Sequence, residues 1–287
     1  MSNTKNRAGE IMLFGLIILC SLLSVIFLVF IIVYVLAKGV AGVNWSFLTT
    51  VTSVRAGTVG IAGNIVNTIL IILVTMLIAT PVGVGAAIYL NEYARPGKFV
   101  SVIEFTTEVL SGIPSIIFGL FGMMFFGETL GLGYSILTGA LTLILMVLPL
   151  VTRNTQEALK TVPDGYRNGA IGLGAGKWYM IRTILIPSAM PGIITGVILA
   201  IGRIVGESAA LLFTAGSAKL LPKGILGIFD KIMQSGGTLT IQLYLSATSE
   251  GDFESAFGIA VVLLVIVLII NILTKTLTAK YDVSKQK

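Results

Sequence analysis

The run IMLFGLIILCSLLSVIFLVFIIVYVLA, Ile11–Ala37, decides the class of fold, because none of its 27 residues is Asp, Glu, Lys or Arg. A helix needs ~20 largely apolar residues to cross the hydrocarbon core of a bilayer. The apolar part of a signal peptide is only ~7–15 residues, so this segment reads as an anchor that stays. Outward from it the pattern recurs over Ala62–Leu90, Val109–Gly127 (extending back toward Val102), Thr129–Thr152, Pro191–Ala215 and Ser255–Thr274. The fifth of these six stretches admits two charges, Arg203 and Glu207. The pattern predicts an all-α polytopic membrane protein with six transmembrane helices. Composition agrees: of 287 residues, 55% are hydrophobic and 11% charged, under half of the ~25% charge of a soluble domain.

Orientation follows from Lys and Arg in the connecting segments. With the N-terminus inside, segments 1–10, 91–101, 153–186 and 275–287 hold 13 of the 19 basic residues. The outer segments hold Lys38, Arg55, Lys219, Lys223 and Lys231. Both termini are therefore expected in the cytoplasm. The net charge of +6 becomes a topology signal, and the expected surroundings are membrane lipid, with no nucleic acid.

Several chemistries are excluded by what the chain lacks. It has no histidine, the commonest metal ligand and the usual base near neutral pH. Its one cysteine, Cys20, lies inside the first apolar run. The glycine-rich run Gly172–Lys177 is not a phosphate-binding P-loop, since Ile171 replaces the first glycine and Trp178 the Ser or Thr. No metal-ligand spacing and no nucleophile beside a base is found. The reading is of a chain with no catalytic residue, no metal and no cofactor; any ATP is bound by a partner.

The long inner segment 153–186 contains PDGYRNGAIGLGAGKWYMIRTILIP, residues 163–187. Pro163 and Asp164 suit a helix start, with the carboxylate at the positive end of the helix. Ala170, Ile171 and Leu173 supply apolar contacts, and Gly174 and Gly176 can end the helix in a left-handed turn. Pro187 and Pro191 flank the entry to the fifth span. The segment reads as a helical knuckle offered to a cytoplasmic partner, against the plainer alternative of a surface linker.

This segment resembles the E-A-A-x3-G-x9-I-x-L-P loop of binding-protein-dependent ABC transporter permeases. Asn168, Gly169 and Ala170 occupy the opening triplet, Gly174 follows three residues later, and nine residues lead to Ile184-Leu185-Ile186-Pro187. Asn168 replaces Glu, Gly169 replaces Ala and Ile186 replaces Leu. Further runs narrow the resemblance to PstA-type phosphate permeases: AAIYLNEYA (86–94), GIPSIIFG (112–119) and GRIVGESAALLFTA (202–215). Ala210 stands where that family usually has proline. The resemblance spans residues 60–275 and implies a MetI-like, type I importer fold. The implied organisation is an anchor helix and outer loop (1–60), a permease core (61–278) with coupling loop 153–186, and a cytoplasmic tail (279–287). The implied partners are cytoplasmic ATPase subunits docked on Asn168, Gly169, Ala170, Gly174 and Pro187, a homologous second permease, and an external phosphate-binding protein. The implied function is a phosphate pathway; another oxyanion such as molybdate or sulfate, or an ion-driven secondary transporter, is the alternative.

An ionisable residue inside a span is costly and marks function by default. Arg203 and Glu207 are four apart, which on a helix places them on one face as a mutual ion pair. The two readings are a structural pair, or a substrate-pathway site where the Arg203 guanidinium meets a passing anion through its planar fork. The resemblance favours the second. Gly202-x-x-x-Gly206 has the spacing of close helix contact. Glu104 and Glu108 read as a solvated pair at a helix start, with a gating pair to an inner-loop cation as the alternative. Pro81, Pro114 and Pro149 predict kinks, since each removes a backbone donor.

Overall fold

The structure is a computed structural model that describes residues 3–53, 58–95, 97–222, 224 and 227–281. Arg55, Lys223, Lys285, Lys287 and residues 282–287 of the expected tail lie outside the described residues.

The first span is α1 (Asn3–Gly39), continued by a short 3-10 turn. Its described side chains from Ile11 to Leu36 are almost all exposed, as suits a helix apolar on every side and surrounded by lipid. Its C-terminal end meets the last helix, where Tyr34 packs edge-on to Phe257 at 5.8 Å. A short helix α2 (Trp45–Thr49) follows, capped by Asn44, whose Oδ1 accepts from the Phe47 N–H at 2.7 Å. The strands β1 (Val51–Ser53) and β2 (Thr58–Ile61) pair antiparallel, Val51 opposite Ile61.

The second span is α3 (Ala62–Ile88), which ends in a π-helical turn, Tyr89–Tyr93. The third stretch does not form one straight helix. It divides into α4 (Lys98–Gly112) and α5 (Ser115–Gly122), and the latter runs into a π turn at Met123–Thr129. The two halves meet at 101°. The break falls at Ile113-Pro114, both extended (φ −73, ψ 131 and φ −58, ψ 139). A residue before proline is pushed out of the helical region by the ring. Of the anticipated kinks this is the sharp one; Pro81 and Pro149 remain inside their helices.

The fourth span is α6 (Ile136–Lys160), shifted from Thr129–Thr152. It starts at Ser135, whose Oγ accepts from the Thr138 N–H at 3.1 Å, the usual N-cap bond. It continues past Thr152 because Arg153, Glu157 and Lys160 share one exposed face while Thr155, Gln156, Ala158 and Leu159 stay buried. The segment after α6 then forms α7 (Asp164–Gly172). The fifth span is longer than expected and ends earlier. It begins as α8 (Lys177–Met180), passes through a π turn (Ile181–Leu185) and continues as α9 (Ile186–Gly206). The π turn directly precedes Pro187, which has no N–H to give the helical ladder. Pro187 and Pro191 therefore lie inside the span.

Beyond a break at Glu207-Ser208 come α10 (Ala209–Thr214), α11 (Gly227–Ile232), α12 (Leu239–Thr248) and the sixth span, α13 (Phe253–Tyr281). Among the described residues, length and composition thus yield five spanning helices plus the bent pair α4–α5. The described part of the segment between α10 and α13 is tied to α3. Asn64 Nδ2 donates to Gly237 O (3.0 Å) and Asn67 Nδ2 to Ala218 O (3.1 Å). The Leu239 N–H donates to Thr68 Oγ1 (3.0 Å).

The core is built around α6, with 67% of its most apolar window buried. Leu143, Val147 and Val151 of α6 pack with Ile71 and Ala79 of α3 and Ala200 and Ile204 of α9. Small residues permit the approach. A methyl on Gly196 would stand 2.6 Å from Asn154 Cβ, and one on Gly192 would stand 2.5 Å from Ala158 Cβ. The close helix contact therefore uses Gly192 and Gly196. Gly202 and Gly206 have no described heavy atom of another element within 4 Å of where a Cβ would be.

Candidate functional site

Two regions carry the functional expectations, one at each end of the fifth span. At the N-terminal end of that span, α7 stands out from the bundle on the turn that follows α6. Ala170 is buried in a cluster with Leu159, Val162, Met180, Ile181 and Leu185, which anchors one side of the helix. Asn168, Gly169 and Gly174 are exposed, as is Pro187 further along. The helix ends as expected at Gly174, where φ is +79°. The Gly174 N–H donates to Ile171 O and the Ala175 N–H to Ala170 O, both at 2.9 Å. This is a Schellman ending, the pattern that satisfies the last carbonyls of a helix. Gly176 has φ −65° and takes no part in the left-handed turn. The turn leaves Leu173 91% exposed at the tip of α7, and Tyr166 and Ile171 are exposed elsewhere on the helix. Large apolar side chains left exposed on a helix of mixed polarity are available to another protein surface.

Residues the sequence reading does not single out hold this helix in place. Arg167 is bound to Glu92 of the α3 π turn, N to O 3.1 Å, with Glu92's side chain only 6% exposed. Asn91 Nδ2 also donates to Glu92 Oε1, at 2.7 Å. Glu92 stands directly after the second apolar span, and a lone acid there was the available signal; its partner, 75 residues away in sequence, was not.

At the other end, Arg203 occupies the last turn of α9 and is exposed, with Leu199, Gly202 and Gly206 also open on that part of the helix. The expected pair with Glu207 does not form. No ion pair among the described residues joins them. The helix stops at Gly206, and Glu207 is extended (φ −81, ψ 124), so the four-residue helical spacing no longer applies. The carboxylate turns the other way: Glu207 Oε1 accepts from the Ala210 N–H at 3.0 Å, an unsatisfied donor at the start of α10. Glu207 O accepts from Thr240 Oγ1 at 2.8 Å. Among the described residues the Arg203 guanidinium has no carboxylate partner, and it lies beside the break in the helix.

Two of the motifs that narrowed the family meet here. Gly119 of α5 lies against α10, so that a methyl there would stand 2.8 Å from Ala210 Cα. The GIPSIIFG and GESAALLFTA segments thus form one joint between the bent third span and the broken fifth.

Glu104 and Glu108 are exposed on α4. They share a crevice of about 250 Å³ with Arg153, Gln156, Glu157 and Lys160 of α6. No ion pair crosses it among the described residues. Between α12 and α13, Glu250 accepts from Ser246 and Gln242 and pairs with Lys219 at 3.2 Å. Burial alone would raise its pKa, but those hydrogen bonds and the lysine's charge hold it below the ordinary carboxylate value.

The fold is a helical membrane bundle in which α7 projects between the fourth and fifth spans and the fifth span is broken at Glu207. The chain belongs to the binding-protein-dependent transport system inner membrane component family, whose model matches residues 79–283. It is 32% identical to the phosphate transport system permease protein PstA of Xylella fastidiosa, over 87% of this chain and 85% of that one. It is 39% identical to the probable ABC transporter permease protein YqgI of Bacillus subtilis, over 70% and 69%. Its fold is that of a chain of the bacterial alginate ABC transporter (TM-score 0.70, 12% identity, covering 99% of both chains). It likewise matches a chain of the inward-facing MetNI methionine ABC transporter (TM-score 0.62, 17% identity, covering 77% of this chain and 95% of that one). The chain is thus a multi-pass permease of the cytoplasmic membrane with the MetI-like fold.

Proposed function

We propose that this permease forms part of a pathway for inorganic phosphate and is driven by a cytoplasmic ATPase that docks on α7. Both termini then face the cytoplasm. A homologous second permease completes the pathway, and an external phosphate-binding protein delivers the anion. The observation that carries the anion reading is Arg203, exposed at the end of α9 with no carboxylate partner among the described residues. A guanidinium stays charged and matches the fork of a phosphate, and with Glu207 engaged at Ala210 its charge is available to an anion. The PstA relatives support phosphate as that anion. Glu207 keeps a role through the shape of the break, which sets where Arg203 stands.

The test is uptake of labelled phosphate with membrane levels of the protein measured in parallel. Arg203→Gln is expected to reduce uptake by about tenfold or more while assembly persists, and Arg203→Lys to lose less. Normal uptake in a well-assembled Arg203→Gln variant would remove Arg203 from the pathway. Competition by unlabelled sulfate or molybdate as effective as unlabelled phosphate would reassign the substrate.

A further inference from the structure

The inner end of the fold contains a clamp that sequence spacing does not reveal. Arg167 precedes Asn168 on α7, and its side chain points back into the bundle, 17% exposed. Nη1 donates to Val162 O at 2.7 Å and to Asp164 Oδ1 at 3.2 Å. Nη2 donates to Leu159 O at 2.9 Å and to Glu92 Oε1 at 3.1 Å. One guanidinium therefore joins the end of α6, the first turn of α7 and the π turn that closes α3.

Each contact has its own physical reason. Leu159 and Val162 supply carbonyls at the end of α6, where the helix leaves acceptors unsatisfied and favours a cation. Glu92 is nearly buried, and a buried charge left without its partner is strongly destabilising. The same π turn holds a second link, Lys177 Nζ lying 4.9 Å from the centre of the Tyr93 ring. α3 and α6 are themselves in close contact higher up, where Gly83 meets Val151. The clamp thus joins two core helices that pack against each other.

We propose that Arg167 is the positioning residue of the coupling loop, with Glu92 its counter-charge. It converts displacement of α7 into displacement of α3 and α6. The inference rests on the reading of α7 as the ATPase-docking helix. Only arginine suits the position. Its planar fork directs separate N–H groups at acceptors on three elements, whereas a lysine presents all its donors from one nitrogen. Spatial connection alone does not establish coupling, so the deciding quantity is phosphate moved per ATP hydrolysed.

The experiment reconstitutes the complete transporter in vesicles and measures both quantities for the wild type, Arg167→Gln, Arg167→Lys and Glu92→Gln. Arg167→Gln is expected to keep ATP hydrolysis near the wild-type rate and to lower phosphate per ATP by about tenfold. Arg167→Lys falls between it and the wild type. Glu92→Gln gives a loss of about threefold, because Arg167 keeps its carbonyl acceptors. An assembled Arg167→Gln transporter with the wild-type ratio overturns the clamp. Should that variant fail to assemble, Glu92→Gln decides: a lowered ratio supports the clamp and the wild-type ratio refutes it. Leu173→Asp, at the exposed tip of α7, separates this from the docking reading. If it sheds the ATPase while Arg167→Gln keeps the wild-type ratio, the clamp alone is wrong. If it retains the ATPase with undiminished affinity, or the wild type moves no phosphate, the underlying reading fails and the clamp with it.

Discussion

Gly174 offers the most discriminating test of the coupling loop, because the structure separates conformation from contact there. Its φ of +79° is left-handed, yet nothing lies within 4 Å of where a Cβ would stand. Gly174→Ala therefore meets no steric clash and bears only the backbone cost, about 1–2 kcal/mol for a residue with a β-carbon in that region. At 1.4 kcal/mol per tenfold, the native turn becomes about 5- to 30-fold less populated against frayed alternatives. The Gly174–Ile171 and Ala175–Ala170 bonds would be lost in those alternatives, and Leu173 would leave the tip. Gly176→Ala is the matched control, since Gly176 is open in the same way but has φ −65° and ψ 150°. Gly174→Asn should cost less than Gly174→Ala, since asparagine tolerates the left-handed region. The assay is the apparent affinity of the solubilised permease for its ATPase, read with ATP-dependent uptake. Equal behaviour of Gly174→Ala and Gly176→Ala would refute the reasoning, whatever the absolute values.

Other outcomes follow from the same geometry. Gly196→Ala is expected to destabilise the bundle by ~1–3 kcal/mol through overpacking against Asn154, whereas Gly202→Ala leaves the isolated chain unharmed; thermal unfolding in detergent compares them. Gly119→Ala should likewise lower thermal stability, by pushing α5 from the Ala210 backbone. Glu207→Ala should cost ~1.5–3 kcal/mol by removing the charged acceptor of the Ala210 N–H, and Glu207→Gln less, since an amide oxygen can still accept; the reverse order would refute the capping role. Glu250's pKa is depressed on folding, so its stabilisation is complete above the unfolded carboxylate value and is lost as pH falls through the folded one. Proteolysis of residues 216–254 should therefore quicken only below about pH 4.5, and Glu250→Gln should abolish that dependence.

The sequence alone determined the helical membrane class, because ~20 apolar residues in a row have few alternatives to spanning a bilayer. It narrowed the left-handed turn to Gly174 or Gly176, since one residue's backbone freedom is a local property, and the structure chose Gly174. Even the bend in the third span had a local cue in Pro114. The sequence could not tell which glycines face a neighbouring helix. Gly202 and Gly206 have the right spacing and touch nothing, while Gly192 and Gly196 have the same spacing and carry the crossing of α9 over α6. Nor could it show that the helix stops at Gly206, which turned a presumed Arg203–Glu207 pair into a free arginine and a capped α10. Glu92 and Arg167 meet across 75 positions of sequence. Backbone preferences act over a few residues and leave a trace in the letters themselves. Which side chains meet depends on how the helices stack and rotate, so only the tertiary structure decided the joints and the clamp.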